Sequence, residues 1–135
     1  MQKCKYLDDL GLDITEYGTN FIEDDDERAE KWSKEKEEYG FDSRETWCLD
    51  KFFVEWLYTR LMMYKEKASE VVDLTFHKFE WEGEEISQIE AIDFLIEECK
   101  NFLLNRDDFE KENEAYERMQ KAIILWSMIF GAMWW

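Results

Sequence analysis

The sequence predicts an all-α protein: a compact helical bundle of about four main helices with an acidic N-terminal arm. Two observations carry that expectation. The chain has 135 residues with no proline and only five glycines, so few positions break a helix. Three long segments repeat apolar residues every three or four positions, each near residues suited to helix capping. At 45% hydrophobic and 17% aromatic, the composition is far from a disordered one, and the length suits one domain with a core of its own. The expected organisation is a single domain over 1–135, with an acidic arm and surface helix over 1–40 and the bundle core over 41–135.

Taken in order, residues 1–25 read as a loosely structured arm with Gly11, Gly18 and Asn20 at turns. Asp24, Asp25 and Asp26 suit the start of a helix running to about Glu38. That helix is nearly all polar, with Ala29, Trp32 and Tyr39 as anchors, and Gly40 is placed to end it. Asp42 or Ser43 is expected to cap the next helix, which runs to about Lys67 and is apolar around most of its circumference. Asp50, Phe53, Leu57, Arg60 and Tyr64 share one stripe of it, and Cys48, Lys51, Glu55, Thr59 and Glu66 form a narrow polar edge. Val71–Trp81 alternates apolar and polar residues, which reads as a short extended segment or a loop with aromatic anchors, and Gly83 marks a turn.

Ser87 and Glu90 have capping-box spacing, and Ile89, Ile92, Leu95, Ile96, Cys99, Phe102 and Leu103 follow at helical intervals. Asn105 closes that helix. The last helix begins near Asp107 or Asp108, with Tyr116, Met119, Ile123, Trp126, Phe130 and Met133 on one face. It and the central helix are the expected buried pair. The tail from Ala122 to Trp135 is strongly apolar but shorter than the ~18–20 residues needed to cross a bilayer, which favours a core helix.

The net charge is −17, from 34 acidic and 17 basic residues. Such a charge repels nucleic acid and anionic lipid, and it suits a basic protein partner. Direct nucleic-acid and membrane contact are therefore not expected. Cys4, Cys48 and Cys99 have no short spacing, so neither a disulfide framework nor a zinc site is indicated, and a reducing cytoplasm fits. Met1–Leu10 holds no apolar run of signal-peptide length.

Arg60 is the first candidate for chemistry, because a guanidinium on an aromatic stripe needs a partner from another element or a ligand. Asp50 lies ten residues away, about 15 Å along the helix, too far to pair with it. A pocket formed by Trp47, Asp50, Trp56, Arg60 and Tyr64, in which Arg60 holds an anionic group and an aromatic ring stacks on it, is the candidate ligand site. The acid pairs Glu27/Glu30, Glu35/Glu38, Glu70/Asp73 and Glu90/Asp93 have the spacing of di-metal helices, but with 34 acidic residues such pairs arise by chance. His77 is the only histidine, so no triad or zinc site follows, and no glycine-rich phosphate loop is present. No metal ligands, catalytic residues or cofactor are assigned. The acidic run Glu23, Asp24, Asp25, Asp26 and Glu27 is the candidate partner-binding surface, with a second run over Glu80–Glu85.

The stretch Gly40-Phe41-Asp42-Ser43-Arg44-Glu45-Thr46-Trp47-Cys48-Leu49-Asp50, followed by Arg60-Leu61, resembles small uncharacterised tailed-bacteriophage proteins. Their pattern is G-[FY]-S-x-x-[DE]-x-W-x-L-D, then an Arg-Leu pair about ten residues on, often preceded by proline, and a closing aromatic helix. Here Asp42 stands at the serine position and Thr59 at the proline position, while Ile124–Trp134 corresponds to the closing helix. The first 39 residues lie outside the resemblance. It implies a phage gene acting in the cytoplasm of an infected bacterial host, and no mechanism.

The resulting expectation is a non-catalytic phage accessory protein that blocks a basic surface of a host defence or nucleic-acid-handling protein. The alternatives are a sponge that sequesters a nucleotide immune signal in the aromatic and arginine pocket, and an acid-based metal-dependent hydrolase. A homo-oligomer formed through the last helix is also expected, since Trp134 and Trp135 would otherwise be exposed.

Overall fold

A computed structural model of the chain describes residues 4–11 and 27–135. These form five α-helices and one two-stranded hairpin, so the all-α expectation holds. The chain divides into two compact units, Met1–Trp56 and Leu57–Trp135.

In the first unit, α1 (Lys5–Asp8) buries Leu7. Helix α2 (Ala29–Tyr39) starts at Arg28 with no side-chain cap, and the cap expected at Asp24–Asp26 lies outside the described residues. Trp32 is the buried residue of α2, whereas the expected anchor Tyr39 is exposed. The Trp32 ring is covered by cations: Arg44 lies 4.4 Å and Arg28 5.0 Å from its centroid, and Trp47 meets it edge-on at 6.0 Å. Gly40 ends the helix in the left-handed region, at φ 85°, its amide donating to the Lys36 carbonyl.

Asp42 caps a separate 3-10 turn over Ser43–Thr46, and α3 (Leu49–Ala68) starts only beyond it, which corrects the expected helix onset. The cause is local hydrogen bonding that closes the turn. Asp42 accepts from the Arg44 amide at 3.0 Å and from its guanidinium at 3.1 and 2.8 Å. Glu45 accepts from the Asp42 amide at 3.1 Å, completing a capping box. Glu35 on α2 accepts from the Ser43 amide at 2.5 Å and hydroxyl at 3.1 Å, which fastens the turn to that helix.

The buried positions of α3 are Val54, Leu57, Tyr58, Leu61 and Ala68, with Glu55 and Thr59 beside them. Leu49, Trp56, Arg60 and Met63 are exposed. The helix is thus turned relative to the sequence expectation: most of the Asp50–Tyr64 stripe is not core, and Glu55, placed on the polar edge, is 1% exposed. Lys51, one turn earlier, lies 3.4 Å from Glu55 and supplies charge for it.

In the second unit, β1 (Lys78–Trp81) pairs antiparallel with β2 (Glu84–Ser87). The sequence left the first strand without a partner; the partner is the segment directly after Gly83. Glu82 (φ 52°) and Gly83 (φ 80°) both take the left-handed conformation that a two-residue hairpin turn needs. The register pairs Phe79 with Ile86 and Trp81 with Glu84 on one face, and Lys78 with Ser87 and Glu80 with Glu85 on the other. Phe79, Trp81 and Ile86 are half-buried, and Trp81 meets Phe94 edge-on at 6.2 Å.

Ser87 leads straight into α4 (Gln88–Asn105), capping it by accepting from the Glu90 amide at 3.3 Å and donating to the Glu90 carboxylate at 3.0 Å. Ile92, Leu95, Ile96, Cys99, Phe102 and Leu103 are buried as their spacing predicts. Helix α5 (Glu112–Ile129) packs on α4 and buries Ala115, Met119, Ala122, Leu125 and Ile129. Only Met119 of the face expected for this helix is fully buried; Ile123 and Phe130 are exposed. Within this unit α4 and α5 form the closely packed pair, rather than α3 and the last helix. No helix of the described residues is long and apolar enough to cross a membrane.

Candidate functional site

The hairpin is a surface of carboxylates. Because side chains alternate along a strand, burying Phe79, Trp81 and Ile86 forces Glu80 and Glu85 outward. There they stand directly opposite each other, a like-charge cross-strand pair. Glu84 is exposed as well, and exposed Glu82 at the turn pairs with Lys121 of α5. Among the described residues Glu80, Glu84 and Glu85 make no ion pair. A groove of about 260 Å³ lies along the hairpin, lined by Lys78, Phe79, Glu80, Gly83, Glu84 and Glu85.

A second feature of the same unit is a cavity of about 290 Å³ where the segment before β1 meets the start of α4 and the C-terminal residues. Val72, Asp73, Phe76, His77, Gln88, Ala132 and Trp134 line it. Its floor is fixed by backbone bonds: the Gln88 amide donates to the His77 carbonyl and the Ile89 amide to the Leu74 carbonyl, each at 3.0 Å. Gln88 is 2% exposed. Its side-chain nitrogen lies 3.2 Å from the Ala132 carbonyl and 3.3 Å from both the Tyr64 hydroxyl and the Met133 sulfur. Phe76 and His77 meet edge-on at 5.4 Å, while Phe76 and Trp134 are 76% and 69% exposed. The Asp73 Oδ1 accepts from the Thr75 hydroxyl at 2.5 Å and amide at 2.9 Å. These two bonds, the hydroxyl first, and more weakly the Lys78 charge hold its carboxyl below the ordinary 3.8 against a slight desolvation.

Of the residues expected to line a pocket, Trp47, Asp50 and Trp56 belong to the first unit and Arg60 and Tyr64 to the second. Trp47 and Trp56 are exposed, and so is Asp50. Arg60 is exposed too and donates to the Thr59 hydroxyl at 2.9 Å, so the cost of burying a guanidinium does not arise. Tyr64 donates to the Trp134 carbonyl at 3.3 Å and accepts from Gln88; burial lifts its hydroxyl above the ordinary 10.0, with the Gln88 bond acting against that. Of the candidate partner surface, Glu27 is exposed, and Glu23, Asp24, Asp25 and Asp26 lie outside the described residues.

Each acid pair has at least one member engaged locally. Glu30 meets Lys34 at 3.2 Å, Glu35 binds Ser43, Asp73 holds Thr75, Glu90 caps with Ser87, and Asp93 pairs with Lys65 at 2.6 Å. Among the described residues no group of three or more His, Cys, Asp or Glu side chains is placed to hold a metal ion. The cavity was missed in the sequence because its lining comes from three separated stretches, and its one available signal was the aromatic neighbourhood of His77. No family model, curated protein or solved structure matches the chain.

Proposed function

We propose that the chain is a non-catalytic binding protein that sets its acidic hairpin against a basic protein surface. The observation that carries this reading is the placement of Glu80 directly opposite Glu85, both exposed and without an ion pair among the described residues, on a chain of net charge −17. Like charges facing across a ladder cost stability, and a cationic partner offsets that cost. The resemblance of Gly40–Asp50 and Arg60-Leu61 to tailed-bacteriophage proteins supports a counter-defence role in an infected bacterium. The partner class is then a host defence or nucleic-acid-handling protein whose phosphate-binding surface is basic. The nucleotide-sponge alternative draws less support, since no arginine lines the cavity beside His77 or the groove along the hairpin.

The test is affinity capture of host proteins with the wild type and a Glu80→Gln/Glu84→Gln/Glu85→Gln variant, at low and high salt, with helix content checked by circular dichroism. A basic host protein held at low salt, released at high salt and not held by the folded variant is the expected result. Equal capture by the variant, or capture indifferent to salt, would overturn the assignment. The apolar surface left open by Ile123, Ile124 and Met128 of α5, with Phe130 just beyond it, supports self-association as a second proposal. Light scattering showing a monomer at all concentrations would remove it.

A further inference from the structure

We propose that the cavity beside His77 is a binding site for a guanidinium group, carried either by a free small molecule or by an arginine side chain of a protein. It rests on residues other than the hairpin acids and stands apart from that reading.

Gln88 lines the cavity and is 2% exposed. The carboxamide orientation is set by its surroundings: the Ala132 carbonyl and the Met133 sulfur are acceptors only, so the NH₂ group must face them. The carbonyl oxygen Oε1 then receives no donor among the described residues. It is not sealed from solvent, so it offers an acceptor to a ligand's N–H or O–H.

The rest of the lining narrows the class. Asp73 contributes a carboxylate whose Oδ1 is occupied by Thr75, while Oδ2 receives no donor among the described residues. Neither lysine nor arginine lines the cavity, and the whole chain is strongly negative, so a phosphate or carboxylate ligand is repelled. Phe76, His77 and Trp134 supply aromatic rings, two of them largely exposed where a monomer ordinarily hides such surface. The cavity therefore offers acceptors, one negative charge and π faces. A guanidinium matches all three: it carries only donors, is always charged, and stacks on aromatic faces while its edge makes in-plane hydrogen bonds. An ammonium shares the charge but not the planar fork. The volume of about 290 Å³ sits at the lower limit of ligand cavities, enough for a guanidinium and part of its stem.

The test uses isotope-labelled full-length protein titrated with Nα-acetyl-arginine amide, following the Trp134 indole and Gln88 carboxamide resonances. The neutral isostere, the corresponding citrulline amide, is the control. Saturable shifts at both groups with the arginine probe, and at least about tenfold weaker binding of citrulline, are expected. Asp73→Asn and Trp134→Ala, both at exposed positions, are each expected to weaken the arginine probe by about tenfold. Equal binding of citrulline, no shift at millimolar probe, or full affinity in both folded variants would overturn the proposal. Agmatine and a capped Gly-Arg-Gly peptide separate the sources: tighter peptide binding assigns a protein side chain, and tighter agmatine binding a free small molecule.

Discussion

The ion pair between Glu98 on α4 and Arg118 on α5 is doubly hydrogen-bonded, at 2.8 and 2.9 Å, and unequally exposed: the Glu98 side chain is 10% exposed and that of Arg118 42%. Two unit charges about 4 Å apart attract by ~4 kcal/mol at an effective dielectric of about 20 and by ~1 kcal/mol in water. With one partner half in solvent, a value between these limits, about 2 kcal/mol, is expected for the pair. Removing the two members is not equivalent. Arg118→Ala strands a carboxylate in the helix interface and is expected to cost about 2–3 kcal/mol, whereas Glu98→Gln leaves a guanidinium that reaches water and costs about 1 kcal/mol. The double variant Glu98→Gln/Arg118→Ala is accordingly expected to be more stable than Arg118→Ala alone. Urea unfolding followed by tryptophan fluorescence reads this directly, since 2 kcal/mol moves the midpoint by about 1 M when the slope is ~2 kcal/mol/M. A cost for Arg118→Ala below about 0.5 kcal/mol, or a double variant less stable than that single one, would refute the reasoning.

Three further outcomes are expected. Leu125→Ala, at a fully buried α5 position, should cost about 2–5 kcal/mol in urea unfolding, while exposed Ile124→Ala costs under about 0.5 kcal/mol; equal costs would mean the buried face of α5 is misplaced. Burial raises the Asp42 carboxyl, but the Arg44 bonds and charge, with Lys36, outweigh it and hold the group below its ordinary 3.8. A depressed acid stabilises the fold above its unfolded value and loses that contribution as pH falls through the folded one, so the gap in melting temperature between wild type and Asp42→Asn should close below pH ~3.8; a constant gap would show that the charge is idle. Burial, with the Glu98 charge adding to it, pushes the Cys99 thiol up to about 12. Thiol-specific labelling of the native protein at neutral pH should therefore modify the half-buried Cys4 and Cys48 and reach Cys99 only in denaturant; rapid native labelling at all three would contradict its burial.

Features that depend on neighbours within a few residues were legible in the chain alone. Gly40 as a helix stop, Ser87 with Glu90 as a cap and the apolar run from Ile92 to Leu103 all formed as read, because caps and helical periodicity are local and α4 has one unambiguous apolar stripe. The hairpin was half legible: Gly83 signalled a turn, but a Glu-Gly pair is a weaker turn signal than Asn-Gly, and the polar strand Glu84–Ser87 shows no alternation strong enough to name. Which sides of α3 and α5 are buried was set by packing. Both helices carry apolar residues around much of their circumference, so several rotations bury similar area, and the neighbours that pack against them choose among these. That choice put Arg60 in solvent, Glu55 and Thr59 inside, and Leu125 rather than Ile123 in the core. It also assembled the cavity at Gln88, since no spacing in the chain links Asp73 to Trp134; only a fold that returns the C-terminal residues to the start of α4 brings them to one place.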